Sequence, residues 1–207
     1  MTVNEYREAS FSQRLGYRLY RNPFVMFGVA PFYVFLLKQR LPHRGSGTRE
    51  KVSVLVTDLA LALIFGSLFA TIGVKATLLV ELPLMAVAGA AGIWLFYVQH
   101  QFERVYWERH DRRDVLAVAM EGSSLYALPR VLQWFAGNIG FHHIHHLGSK
   151  IPSYNLARAY RENALFHLKP LTLRSSLRCL KLRVYDEAND KLAGWDALRL
   201  TRQPAPR

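Results

Sequence analysis

Cysteine and acid are the two things this sequence is short of. One cysteine, Cys179, among 207 residues excludes an internal disulfide framework and supplies no thiolate set for an iron–sulfur cluster or a structural zinc. No glycine-rich dinucleotide fingerprint and no haem-attachment motif occurs in the sequence. Aspartate and glutamate number 15 against 27 lysines and arginines, which gives a formal charge of +12 and a pI near 10.1. Charged residues are still only 20% of the chain and hydrophobic ones 51%, a balance that excludes a disordered polyelectrolyte. A mean hydropathy of +0.03 conceals segregation, because the apolar residues are concentrated in the first half. At this length one or two compact units is the ceiling.

Two long apolar runs are present. VSVLVTDLALALIFGSLFATIGV and ATLLVELPLMAVAGAAGIWLFYV each hold 23 residues with a single acid, Asp58 or Glu81, and Lys75 separates them. About 20 apolar residues at 1.5 Å rise cross a bilayer, so residues 52–98 read as a transmembrane helical hairpin. The competing reading is a hairpin buried in a soluble core, which the lack of a polar face on either run disfavours. Gly66, Gly73, Gly89 and Gly92 suit close helix contact in lipid, and Pro83 is tolerated in a spanning helix. Asp58 and Glu81 each fall within about two turns of a helix end and are expected to reach the interface.

Residues 38–51 carry five basic side chains, and the chain after Gln99 carries 17 against 10 acids, whereas the turn between the runs offers one. By the positive-inside rule both outer ends face the cytoplasm, which predicts a multi-pass membrane protein with both termini cytoplasmic. The basic residues are thus divided around a membrane hairpin and no nucleic-acid module accompanies them, so lipid headgroups and not nucleic acid are the expected partners of the charge.

A third apolar stretch, Phe24 to Leu37, has only 14 residues, contains Pro31 and is flanked by basic residues on both sides. It reads as a re-entrant or interfacial segment within a cytoplasmic and interfacial region, residues 1–51. Residues 99–207 read as a cytoplasmic helical region. Near its end Leu173, Leu177 and Leu180 share a helical face beside Arg174, Arg178 and Lys181, a basic amphipathic segment suited to anionic headgroups. RVYDEANDKLAGW is expected to form a short hairpin around Ala188 and Asn189. The predicted architecture is therefore an all-α integral membrane protein with one spanning hairpin.

The chemistry is concentrated in GNIGFHHIHHLGSKIP, with His142, His143, His145 and His146 inside five positions. In a helix, His142, His145 and His146 stand at i, i+3 and i+4 and share one face, while His143 points about 100° away. Imidazole without thiolate suits iron or zinc; a solvated or pH-sensing histidine patch is the competing reading. His100, in YVQHQFERVYW, lies at the cytoplasmic end of the second apolar run and is a further candidate ligand.

YVQHQFE, followed about 40 residues later by NIGFHHIHHL and then SKIPSYNL, resembles the C-terminal part of the membrane fatty acid desaturases, in particular the bacterial acyl-lipid, delta-12-like type. The likeness runs from MTVNEYREAS to TLRSSLRCLKLR. It implies that His142, His145 and His146 match the last HxxHH box, that His100 matches an additional ligand between boxes, and that these side chains hold iron in a di-iron centre. His143, Asn138 and Glu103 become candidates to orient those ligands or hydrogen-bond to them, and Trp134 and Phe135 to anchor their helix at the interface. The implied reaction is the O2-dependent removal of hydrogen from two adjacent methylenes of an acyl lipid or acyl thioester. Its electrons would come from a soluble ferredoxin or cytochrome. The family's two earlier boxes, HDxxH and HxxHH, and two earlier spanning helices are not found, and before His100 the chain has only His43. The opening MTV resembles the stretch just after the second box, so Met1 is expected to be an internal methionine of a longer enzyme. Four imidazoles are then half a di-iron site, and activity of the chain by itself stays open. The rival readings are a related histidine-box hydroxylase or ketolase and an inactive membrane remnant.

Overall fold

A computed structural model describes residues 1–108 and 114–200. Parts of the expected cytoplasmic region, residues 109–113 and 201–207, lie outside the described residues. The chain is mostly helical and divides into two compact units, one formed by residues 18–94 and the other by residues 1–17 with 95–207.

In chain order the α-helices are α1 (Val3–Glu8), α2 (Phe11–Tyr20), α3 (Ala30–Leu36), α4 (Thr48–Thr71), α5 (Val74–His100), α6 (Val115–Met120), α7 (Arg130–Phe135), α8 (His142–Leu147), α9 (Ser153–Glu162), α10 (Leu173–Ser176) and α11 (Ala197–Leu200). The strands are β1 (Tyr126–Ala127), β2 (Leu171–Thr172), β3 (Val184–Asp186) and β4 (Lys191–Ala193).

Among the described residues, α4 and α5 are the two helices long and apolar enough to cross a membrane, and α5 runs past residue 94 into the histidine-bearing unit. Their 24 and 27 residues rise about 36 and 40 Å. They are apolar on all sides and, apart from Thr77 and the last turn of α5 at Tyr97–Gln99, few of their side chains are buried, the condition expected of helices solvated by lipid. Gly73, with φ of +86°, takes the left-handed conformation that stops α4 before α5 begins. The 14-residue apolar stretch is itself helical: a π-helical turn, Val25–Val29, leads into α3 and then a 3-10 turn, Lys38–Arg40.

Gly89 of α5 receives α3, since a Cβ there would stand 2.6 Å from Pro31 Cβ and 3.3 Å from the Phe35 ring. The expectation of close contact at the other glycines is corrected: a Cβ on Gly66, Gly73 or Gly92 meets nothing within 4 Å. Asp58, an acid inside an apolar helix, is paired with Arg40, whose Nη1 lies 2.6 Å from its Oδ1.

Among the described residues, the other unit holds two small cores. Val3, Tyr6, Val184 and Ala197 form one, with Tyr17 and Trp195 packed on it. Thr2 caps α1 in a reciprocal capping box with Glu5 and bridges to Tyr185. β3 and β4 pair antiparallel in the register Val184↔Ala193, which gives the short hairpin expected around Ala188 and Asn189. The Asp186 carboxylate accepts from the Ala188 N–H and the Asn189 amide, the local bonding that favours a turn there. The second core is Ile144, Leu156 and Phe166, which fixes α8 against α9. Beside the expected β3–β4 hairpin, the all-α expectation is corrected by a two-residue parallel ladder, β1 with β2.

Candidate metal centre

α8 is six residues long and follows a sharp reversal. α7 ends at Phe135, and Gly137 and Asn138 both take positive φ, +59° and +58°. The Asn138 side-chain amide donates to the Ser153 carbonyl at 3.0 Å, which holds this left-handed residue in place. The Tyr126 N–H then donates to the Gly140 carbonyl at 2.8 Å, and Leu125 bridges Phe141. A Cβ on Gly140 would run into the Tyr126 carbonyl and the Gln133 amide, so the chain passes here only as glycine. Ile144, fully buried, sets the rotation of α8 by facing the core.

With that rotation, His142 and His146 project together and meet His100 at the last turn of α5. His142 Nε2 lies 2.9 Å from His100 Nε2 and 3.0 Å from His146 Nε2. The three ligand atoms all fall within 4.8 Å of one another, and this is the one such gathering of His, Cys, Asp or Glu among the described residues. His100 Nδ1 donates to the Gly122 carbonyl at 3.2 Å, and because a carbonyl only accepts, this bond fixes the tautomer whose Nε2 lone pair points into the cluster.

Burial, followed by the charges that its neighbours would carry, pushes His142 down to about 3. Burial also holds His143 and His146 below the ordinary histidine value. These imidazoles are neutral at neutral pH, the form that binds metal. Three neutral rings facing one another by their Nε2 atoms are poorly served by hydrogen bonds alone. His100 brings no proton on that atom, and one N–H on His142 satisfies one neighbour and not two. A single cation satisfies all three lone pairs, so the residues fit a metal ion. An all-imidazole set suits iron, zinc, copper or nickel, and three such ligands leave coordination positions open to other molecules.

The remaining candidates are placed differently. His145 stands beside the trio with its ring 5.9 Å from that of His142 and 6.2 Å from that of His146, outside the close gathering. His143 faces the core and donates from Nε2 to the Phe166 carbonyl at 3.0 Å. Glu103 lies 3.8 Å from Lys191 Nζ, and Asn138 engages Ser153, so neither is bonded to a cluster imidazole. Trp134 and Phe135 are exposed.

Sequence reasoning missed Gln99, which is 1% exposed. Its side-chain amide donates to the Ile139 carbonyl at 2.8 Å, three residues before His142, and its own carbonyl accepts from the Ser124 N–H at 3.0 Å. One residue thereby fixes His100 to the segment bearing His142 and to the segment bearing Gly122. The signal was its place next to His100 at the end of an apolar helix.

A family model described as fatty acid desaturase matches residues 3–173. A curated protein of Bacillus subtilis (strain 168), named fatty acid desaturase, is 42% identical over 200 residues, which are 96% of this chain. The chain spans 57% of the length of that relative. No solved structure matches.

Proposed function

Because this chain belongs to the fatty acid desaturase family, we propose that it holds iron through His100, His142 and His146 and serves the O2-dependent introduction of a double bond into an acyl chain. The observation that carries this reading is the convergence of three Nε2 atoms around His142. Bound iron would supply the O2-dependent oxidation that breaks unactivated C–H bonds. The chain's own part is to present neutral imidazoles in a fixed orientation: the Gly122 carbonyl sets the His100 tautomer, Gln99 sets its position, and Ile144 sets the rotation of α8. His145, beside the trio, is positioned for a second ion. Four imidazoles fall short of the coordination spheres of two irons, and further ligands complete the pair.

The setting proposed is the membrane surface. α4 and α5 cross the bilayer as a hairpin, the stretch Phe24–Leu37 lies at the interface, and the positive-inside bias puts residues 1–51 and 99–207 in the cytoplasm. Substrate is an acyl lipid or acyl thioester, and a soluble ferredoxin or cytochrome delivers electrons. Leu173 and Leu177, exposed beside Arg174 and Arg178, support seating of that segment on anionic headgroups.

The test is anaerobic loading of the purified chain with Fe(II), followed by measurement of iron per chain. Wild-type protein is expected to retain iron through gel filtration and His100→Gln to lose it. Equal retention by the variant, or none by the wild type, overturns the reading.

A further inference from the structure

The last turn of α5 buries its side chains with one exception. Tyr97, Val98 and Gln99 are buried, but Phe96, which shares the face of His100 one turn earlier, is 65% exposed. Its ring belongs to the cluster all the same, since the centroids of Phe96 and His100 lie 4.9 Å apart. Among the described residues His100 thus meets three rings, those of Phe96, His142 and His146. His142 is buried, whereas His146 and Phe96 are exposed. A molecule that approaches an ion held by the three imidazoles comes in on the exposed side and meets the Phe96 ring there.

Phenylalanine carries no ligand atom and no hydrogen-bonding group, so this ring neither holds the ion nor recognises a polar molecule. Its exposure also means that the core gains little from it. What it offers is a flat apolar face with two torsions to fix, against which methylenes pack by dispersion. We propose that Phe96 is a substrate-positioning residue: the acyl chain lies across its exposed ring, and the ring sets which methylenes come up to the ion. This role rests on the acyl-chain reading of the site and adds to it a residue that fixes where along the chain the reaction falls. A change of bulk at position 96 therefore moves the chain relative to the ion and leaves the ion in place.

The full chain is purified in dodecylmaltoside and loaded anaerobically with cobalt(II) as a paramagnetic substitute for iron, with zinc-loaded protein as the reference. Methyl palmitates fluorinated near the ester, at mid-chain or near the methyl end are added, and the fluorine relaxation caused by cobalt is measured for each. Wild type is expected to relax one position in preference to the other two. Phe96→Ala lowers that preference roughly three- to tenfold, the worth of one aromatic contact, and keeps the cobalt content within about twofold. Phe96→Tyr retains the ring and with it the preference. Phe135→Ala removes another exposed ring of the same unit and keeps the wild-type preference, which separates the role of Phe96 from a general loss of apolar surface. Far-UV circular dichroism checks each fold, and if Phe96→Ala unfolds, Phe96→Leu decides. The inference falls, with the metal reading intact, if cobalt-loaded wild type relaxes the three positions alike, as a chain dissolved in bulk detergent would be, or if Phe96→Ala keeps the wild-type preference. Failure of the wild type to hold cobalt overturns the metal reading and this inference together.

Discussion

Replacing His142 by alanine takes away the middle nitrogen of the gathering, the one about 3 Å from both neighbours. A four-ligand structural zinc gains roughly 10–16 kcal/mol on binding, so one imidazole carries about 3 kcal/mol, or about 100-fold in affinity. The loss is expected to be of that order for the most tightly bound ion, measured by anaerobic equilibrium dialysis with iron or with cobalt as a coloured probe. Unfolding is excluded as the cause by the same structure. The His142 ring is buried with Nδ1 unpartnered, so its removal exchanges a small cavity for relief of an unsatisfied polar atom, each worth about 1–3 kcal/mol. The thermal midpoint of the metal-free variant should therefore stay within a few degrees of wild type. His145→Ala is the control, because its ring stands outside the trio, and should weaken that ion less than about tenfold. The reasoning fails if His142→Ala keeps wild-type affinity, or if His145→Ala loses as much.

Gln99→Leu keeps all the histidines and removes the amide that ties His100 to Ile139; metal affinity in dialysis should fall about 10–100-fold, the usual cost of losing a group that orients a ligand. Metal-free protein should lose stability as pH drops below 6.5, since His142 stays neutral in the fold down to about 3 while the unfolded chain takes up a proton; the slope for this group is at most about 1.4 kcal/mol per pH unit, and a thermal midpoint equal at pH 7.5 and pH 5 contradicts it. Gly89→Ala forces Pro31 away and should cost about 1–3 kcal/mol in detergent unfolding, whereas Gly66→Ala and Gly92→Ala have open space and should gain up to about 1 kcal/mol from helix propensity.

The two long apolar helices were legible because their signal is local: a low-polarity run sustained over 24 and 27 positions. The i, i+4 pair His142 and His146 was legible for the same reason. That His145 falls outside the trio was not, because residues 145 and 146 diverge by about 100° around the helix axis and the third ligand selects one of them. His100 comes from 42 residues earlier and sits against His146, with ring centroids 5.1 Å apart, a choice made by tertiary structure. The Gly122 carbonyl was invisible, since a backbone acceptor leaves no mark in the side-chain pattern. β1 and β2 escaped because two residues a strand, paired across 45 positions, carry no periodicity.

Gln99 draws together stretches centred on residues 99, 124 and 139, its buried side-chain amide donating to Ile139 and its main-chain carbonyl accepting from Ser124, each stretch distant from the others along the chain. Those loops close together or the imidazoles stay scattered, so a molecule caught partway through maturation holds no ion firmly. Metal content in a preparation would then serve as a census of finished molecules, separating them from helical chains whose histidine-bearing segments have not closed on one another.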